Sequence, residues 1–317
     1  MTKLIIIIKC GDKHLEFKRK TMKDIHDVIQ MVDAWKDKEY AIEELTKGIT
    51  NKNFKVTIEG KSYVVRIPGK GSDVFIDREV EYHNTLAASD VGVGALIYEY
   101  FKPDYIAIAE FIDGEVMSVP SFKDKERIVK AIMAIKRVNM RGKFTSKFIM
   151  FDKFDEYFEL IRKHNIKVPE NFGEALVFVN RVRGKFLKTM PELAACHNDL
   201  LAENFIDQGD RMRIIDWELS GINDTCFELG DFSVEQELGE DEDVLMIETY
   251  FGNFDEKKCA RMKLYKSMAD ILWVLWADIQ NHFSDLEFDF WQYGMNRFNR
   301  AMIALNSDNF SRWIRAV

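Results

Sequence analysis

The sequence predicts an α+β fold in which a small antiparallel sheet lobe, residues 1–112, precedes a larger and mainly helical lobe, residues 113–317. Before the pair Asp113-Gly114, short apolar runs bounded by turn residues are typical of strands. After that pair, apolar residues recur mostly at helical spacing. The chain has 317 residues and 47% hydrophobic content, so it is large enough to bury a core in both lobes.

The elements of the first lobe follow from alternation and turn residues. An extra N-terminal hairpin is predicted at residues 3–19, around Gly11-Asp12. A helix then follows, with Thr21 as the expected N-cap and apolar residues through Trp35 at helical spacing. The other predicted elements are two strands joined by a turn over 44–68, a helix over 77–88, and strands over 94–101 and 104–111.

The second lobe is predicted to be helical on both sides of a short β segment. The β segment is a small hairpin within 204–215, formed around Gln208-Gly209-Asp210. The predicted helical stretches are 123–140, 152–163, 171–189, 242–281 and 289–306.

Charge, cysteine spacing and apolar runs exclude several classes of protein. The net charge of −8 argues against nucleic acid as a partner, because phosphate neutralisation requires clustered Lys and Arg. The four cysteines show no CxxC spacing, so neither a zinc site nor a disulfide framework is predicted. The apolar run at residues 4–8 is too short for a signal peptide or a membrane span. We therefore expect a cytoplasmic protein that acts without a membrane; the oligomeric state is left open.

The segment from Cys196 to Asn204, together with an apolar strand ending in Asp216, carries the clearest chemical pattern. It has the form HxDxxxxN followed by a strand and an Asp, which is also the pattern of the protein-kinase catalytic loop and its metal-binding Asp. In phosphoryl transfer Asp199 would orient the attacking hydroxyl and accept its proton, while Asn204 and Asp216 would hold Mg²⁺. His197 is expected to position the loop by hydrogen bonding.

Two features of the first lobe could serve a nucleotide. The segment before the first strand of the sheet contains a turn whose amides could close over phosphates, although a simple connecting turn is equally consistent. Its candidate residues are Gly48, Thr50, Asn51 and Asn53. Arg66 lies in an otherwise apolar strand and should be paired. Either Glu79 or Glu81 could be its partner, and their spacing puts them on different helical faces.

From about residue 44 to 305 the chain resembles the choline/ethanolamine kinases, especially bacterial choline kinases, within the wider aminoglycoside-phosphotransferase-like group of protein-kinase-like proteins. The catalytic loop alone would identify only that wider group, and the other motifs narrow it. The matching segments are GITNKNF (48–54), VVRIPG (64–69), IDREVE (76–81), CHNDLLAENFI (196–206), IIDWELSGINDTCFELGDFSVE (214–235), WVLW (273–276) and QYGMNRF (292–298).

The resemblance implies an aromatic cage for a quaternary ammonium group, which aromatic faces hold by cation–π attraction. Trp273, Trp276 and Tyr293 match the cage, and Glu235 would add negative charge. A Trp pair at this spacing is otherwise more often core packing. Glu218 is expected beside substrate, and Asp231 either orients the catalytic loop or contacts substrate.

The implied function is ATP- and Mg²⁺-dependent phosphorylation of the hydroxyl of choline or ethanolamine, with the adenine near Glu110 and Ile112. The alternatives are a kinase of the same fold for an aminoglycoside, thiamine or a methylthio-sugar, and a non-catalytic scaffold. A protein kinase is disfavoured because the DFG and APE signatures are missing.

Overall fold

A computed structural model describes residues 24–45, 51–69, 77–189, 191–284 and 286–317. The predicted N-terminal hairpin, the proposed N-cap Thr21 and the loop residues Gly48 and Thr50 lie outside the described residues. Two compact units are present. The first contains the described residues up to Arg78 together with Leu96–Phe111, and the second contains Glu79–Ala95 and Ile112–Val317.

The first unit is a five-stranded antiparallel sheet with one preceding helix. The helix is α1 (Ile25–Met31), and the strands are β1 (Tyr40–Leu45), β2 (Asn51–Ile58), β3 (Lys61–Pro68), β4 (Ile97–Phe101) and β5 (Ile106–Glu110). Their spatial order is β1-β2-β3-β5-β4. The sheet confirms the predicted strands of this lobe, while β1 was not predicted.

The N-terminal helix begins at a capping box and buries one face. The Asp24 carboxylate accepts the backbone N–H of Asp27 at 2.8 Å, and the Asp27 carboxylate accepts the N–H of Asp24 at 3.2 Å. Val28 and Ile29 are fully buried in a core shared with the sheet residues, and Trp35 joins that core from the turn after the helix. Asp24, rather than the expected Thr21, therefore caps this helix.

The second unit is mainly helical with short strands. In chain order it contains α2 (Arg78–Asp90, from Glu79 onward), β6 (Glu115–Val116), α3 (Lys125–Arg141), α4 (Met150–His164), α5 (Phe172–Phe186), β7 (Leu193–Cys196), β8 (Phe205–Asp207), β9 (Met212–Ile214), β10 (Gly221–Asp224), α6 (Thr225–Glu235), α7 (Glu240–Phe251), α8 (Glu256–Phe283), α9 (Phe290–Leu305) and α10 (Asp308–Ala316). Strands β6, β8 and β9 form one small sheet, and β7 pairs with β10.

Helix α2 groups with the second unit, although the predicted boundary between residues 112 and 113 places it in the first lobe. The reason is a buried polar anchor. The Asn84 side-chain amide donates to the Ser146 hydroxyl and to the Ser220 carbonyl, both at 3.0 Å. Hydrophobic periodicity carries no information about such hydrogen bonds between distant segments.

The predicted helical stretch 242–281 is two helices. Gly252 ends α7 with a φ of 87°, and its N–H donates to the Glu248 carbonyl at 2.8 Å, which is a glycine C-cap. The following helix, α8, is buried along most of its length and packs on α4, α6 and α9. Its central position lets it carry side chains toward the catalytic loop. No described helix is long and apolar enough to cross a membrane.

Candidate active site

The catalytic loop follows β7 and turns sharply at Asn198, whose φ is 69°. Asn is among the residues that tolerate this left-handed region. The turn is fixed by the buried Asn198 side chain, whose amide donates to the carbonyls of Cys196 at 3.2 Å and Leu219 at 3.1 Å. Its amide oxygen accepts from the Asn223 side chain at 2.8 Å. Asp199 thus follows a rigid turn.

His197 is buried, and hydrogen bonds on both ring nitrogens hold it in place. Nε2 lies 2.8 Å from the Ile215 carbonyl oxygen and donates to it, so Nδ1 is the nitrogen that accepts the backbone N–H of Asp199 at 3.3 Å. Burial lowers the pKa of His197 to about 4. The His197 imidazole is therefore neutral and hydrogen-bonded at both nitrogens. It holds Asp199 in position and joins the loop to the segment that precedes Asp216.

Glu228 on α6 binds the backbone of the same loop. The sequence analysis gave this residue no role. Its carboxylate accepts the backbone N–H of His197 at 2.8 Å and that of Asn198 at 3.1 Å. Burial raises the pKa of Glu228 to about 7. Glu228 lies in the segment FELGD, which carries part of the family resemblance. The resemblance could therefore have marked the residue as a candidate, although it does not reveal its hydrogen-bond partners.

Asp231, one turn further along α6, connects the loop to helix α8. One carboxylate oxygen accepts the backbone N–H of Leu200 at 2.9 Å, and the other accepts the indole N–H of Trp273, also at 2.9 Å. The side chain is fully buried. Of the two roles left open by the sequence, the geometry favours orientation of the catalytic loop.

Asp199 is half-buried among other acidic groups. Burial and the nearby carboxylates of Asp231 and Asp216 raise its pKa well above the usual range. The cluster of carboxylates around Asp199 therefore favours the binding of positively charged ions or ligands.

Oxygen ligands suited to a divalent cation lie next to this loop. Carboxylate oxygens of Glu81, Asp216 and Glu218 are all within 4.8 Å of one another. The Asn204 side-chain N–H₂ donates to the Asp199 carbonyl at 2.9 Å, which leaves its amide oxygen as a candidate ligand. Such an oxygen-only set fits Mg²⁺. The structure brings Glu218, which is expected beside substrate, and Glu81, one of the two candidate partners of Arg66, close to Asp216.

The candidate nucleotide residues of the first unit lie on neighbouring strands. Asn53 on β2 is directly opposite Arg66 on β3, and Asn51 precedes Asn53 by two residues, on the same face. The Glu110 carboxylate at the end of β5 accepts the backbone N–H of Leu96 at 3.1 Å. In the second unit Ile112 is buried; of the two glutamates on α2, Glu81 is buried and Glu79 is exposed.

The three predicted cage residues form a continuous aromatic group. The Trp273 and Trp276 ring centroids are 6.4 Å apart at an interplanar angle of 88°, and those of Trp276 and Tyr293 are 6.2 Å apart at 70°. Phe290 adds an edge contact with Trp276 at 5.8 Å. Trp276 and Tyr293 are half-buried, whereas Trp273 is almost fully buried. Trp273 is therefore the fixed wall of the group.

Glu235 is engaged by a cation that the sequence analysis did not single out. Its two carboxylate oxygens are each 2.7 Å from a guanidinium nitrogen of Arg297. The Arg297 guanidinium also lies over the Tyr293 ring, 4.5 Å from its centroid. Glu235 thus lies close to the aromatic group as expected, but its charge is neutralised there.

An α+β architecture with this catalytic loop and this group of carboxylates is that of a phosphotransferase of the protein-kinase-like class. More particularly, the chain belongs to the choline/ethanolamine kinase family, whose model matches residues 42–251. It is a kinase of that family.

Known relatives agree with this assignment. The protein LicA of Haemophilus influenzae is 26% identical over 265 residues, covering 80% of this chain and 77% of that protein. A crystal structure of a choline/ethanolamine kinase family protein from Mesorhizobium loti is 30% identical and covers 91% of this chain and 96% of its own, with a TM-score of 0.82. LicA in complex with AMP, 24% identical, shares the fold with a TM-score of 0.69 and covers 88% of this chain and 96% of its own.

Proposed function

We propose that this protein transfers the γ-phosphate of Mg-ATP to the hydroxyl group of choline. Family membership supports ATP-dependent phosphorylation of choline or ethanolamine. One observation supports placing the base and the substrate pocket side by side. The Asp231 carboxylate accepts hydrogen bonds from both Leu200 of the catalytic loop and Trp273 of the proposed cage. One buried group thereby connects the proposed base to the proposed substrate wall.

In this proposal Asp199 orients the substrate hydroxyl and accepts its proton as the γ-phosphate is transferred in line, without a covalent enzyme intermediate. His197 and Glu228 keep Asp199 in place through the backbone of the loop. Asn204 and Asp216 would hold Mg²⁺, with Glu218 and Glu81 next to Asp216. When bound, the ion supplies charge neutralisation for the phosphates.

We assign the nucleotide to polar residues on neighbouring strands of the five-stranded sheet. Arg66 offers a guanidinium suited to phosphate oxygens, with Asn53 beside it across the strand pair. Asn51, Glu110 and Ile112 are proposed as further nucleotide-binding residues on the basis of the sequence. The structure of LicA with AMP supports nucleotide binding in this family.

Choline is the preferred substrate because its trimethylammonium group has no hydrogen to donate. Rings attract such a cation without hydrogen bonds. Trp273, Trp276 and Tyr293 supply ring edges and faces in one group. A small free alcohol as substrate is consistent with a cytoplasmic place of action, which remains a prediction.

The test is an ADP-release assay with Mg²⁺ and a panel of choline, ethanolamine, thiamine and an aminoglycoside. We expect turnover on choline, and a loss of roughly 10²–10⁴-fold in kcat for Asp199→Asn, which keeps the shape but removes the base. Retained ATP binding in Asp199→Asn, measured by calorimetry, shows that the loss is chemical. Turnover on none of these alcohols, or full activity of the variant, would reject the proposal.

A further inference from the structure

The backbone of Leu200, the residue after Asp199, is bound on both sides by side chains from α6 and its C-cap. The Leu200 N–H donates to the Asp231 carboxylate at 2.9 Å, and the Leu200 carbonyl accepts the side-chain N–H₂ of Gln236 at 2.6 Å. Asp231 is on α6, and Gln236 is the C-cap residue of that helix. Leu200 is fully buried, so neither backbone group is open to water. These two bonds therefore hold the catalytic loop directly after the proposed base.

The Gln236 amide makes this bond while its oxygen is left unpaired. A carbonyl oxygen can only accept a hydrogen bond, so Gln236 must turn its N–H₂ toward Leu200. Its Oε1 is then buried and, within the part of the chain that the structure describes, has no hydrogen-bond partner. A buried polar atom without a partner costs free energy. A Met in place of Gln236 would remove that cost but leave the Leu200 carbonyl without its bond, so stability alone does not explain a glutamine here.

The end of α6 fixes the backbone from which the Gln236 side chain extends. The Leu238 N–H donates to the Ser233 carbonyl at 2.9 Å, and the Glu237 N–H donates to the Val234 carbonyl at 3.3 Å. Glu237 has a φ of 54°, so these two bonds form a Schellman motif with Glu237 in the left-handed conformation. A helix end that is closed in this way gives Gln236 a defined position beside the loop.

We propose that Gln236 is a positioning residue for Asp199, which it serves by holding the carbonyl of Leu200. With its N–H bound to Asp231 and its carbonyl bound to Gln236, Leu200 cannot pivot, and the loop after the base has one arrangement. The inference rests on the proposed function, because it takes Asp199 as the base. Gln236 acts through the backbone and takes no part in proton or phosphoryl transfer. It lies one residue beyond the segment 214–235 that carries the family resemblance.

The chain offers a matched control on the same helix. Gln236→Met keeps the length of the side chain and removes the bond to Leu200. Ser233, three residues earlier, is also buried, but its hydroxyl donates to the Asp243 carboxylate of α7, at 2.5 Å, rather than to the catalytic loop. Ser233→Ala therefore removes a buried hydrogen bond of α6 without touching the loop. Any effect of weakening α6 in general should appear in Ser233→Ala, and an effect on the base should appear only in Gln236→Met.

The measurement is the single-turnover rate constant of phosphoryl transfer, which excludes product release, together with KM for choline and Tm. We expect Gln236→Met to lower the rate constant roughly tenfold, because the base is less well placed, while KM and Tm stay near the parent values. Ser233→Ala should lower Tm and keep the rate constant within about twofold of the parent. The loss in Gln236→Met should be the same with ethanolamine wherever the parent protein accepts it, because Asp199 acts on the hydroxyl group that both alcohols share.

A parent-like rate constant in Gln236→Met would overturn the inference and leave the proposed function intact. An equal fall in Ser233→Ala would also overturn it, because general weakening of α6 would then explain the loss. If the parent protein phosphorylates neither alcohol, the proposed function fails and takes this inference with it. Should Gln236→Met not fold, Gln236→Asn decides the matter. It keeps the amide but is one methylene shorter, so the bond to Leu200 is lost and the rate constant should fall to a similar degree; a parent-like value would refute the role of Gln236.

Discussion

The catalytic loop and the aromatic group proposed as the cage are adjacent, yet different forces hold them. Backbone N–H groups of His197, Asn198 and Leu200 all donate to buried carboxylates of α6. The cage is held by edge-to-face ring contacts and by an ion pair behind Tyr293. The loop is thus fixed by hydrogen bonds to its backbone, whereas the aromatic group is held mainly by ring packing, with one indole hydrogen bond from Trp273 to Asp231.

The difference indicates which kinetic constant each region controls. Hydrogen bonds to a rigid carboxylate fix atoms in distance and angle, which a base in phosphoryl transfer needs. Ring contacts tolerate small shifts and act mainly through area and cation–π attraction. Loop variants should therefore lower kcat, and cage variants should raise KM.

Among variants that alter how the two regions are held, the largest effect is expected from Glu228→Gln, which tests the loop side of the comparison. Gln offers one acceptor to two backbone N–H donors, so the turn before Asp199 should shift. A displacement of the base by about 1 Å is expected to lower kcat roughly 100-fold with KM for choline little changed. Steady-state kinetics checks this, with Glu170→Gln, an exposed position, as the control. An unchanged kcat would show that the loop does not need the Glu228 carboxylate.

A smaller effect is expected from Trp276→Leu, which tests the cage side. Loss of one aromatic face should raise KM for choline about tenfold while kcat stays near the parent value. Trp291→Leu is the control, because Trp291 lies on α9 and its ring faces Lys167, whose Nζ is 3.9 Å from the ring centroid. A fall in kcat with KM unchanged would contradict the division of labour between the two regions.

The sequence predicted the loop and the cage unequally. The order and spacing of His197, Asp199, Asn204 and Asp216 were enough to predict the loop, because phosphoryl transfer constrains residue type at each position. The cage could be predicted only through family resemblance, since a Trp pair on a helix is equally typical of a core. Most helices and strands were predicted because their periodicity is local.

The missed features share a physical cause. Glu228 and Arg297 bind partners 31 and 62 residues away in sequence, and periodicity does not reveal such pairs. The grouping of α2 with the second unit depends on Asn84, whose partners are equally distant. Glu81 was weighed only as a partner of Arg66, although it lies near Asp216 and Glu218 in the folded chain.

The smallest effect is expected from Asp278→Asn on α8, which separates stability from activity in the cage helix. Asp278 is buried, and among the described residues its Oδ2 has no hydrogen-bond partner. Burial raises its pKa to about 7, with Lys167 opposing the shift. The raised pKa means that the folded state holds the proton longer than the unfolded state, so Asp278 lowers the free energy of unfolding as pH rises from 4 through 7.

Asp278→Asn should therefore raise the free energy of unfolding by about 1 kcal/mol at pH 8, because an amide cannot ionise in the buried site. The gain should be smaller at pH 4, where the parent carboxyl is protonated in the folded state and about half ionised in the unfolded chain. Urea unfolding at the two pH values measures both, and KM for choline should not change. An equal gain at pH 4 and pH 8 would mean that the ionised Asp278 carboxylate is not the source of the instability. Helix α8 would then tolerate this charge as readily as the catalytic loop region tolerates the buried carboxyl groups of Glu228 and Asp231.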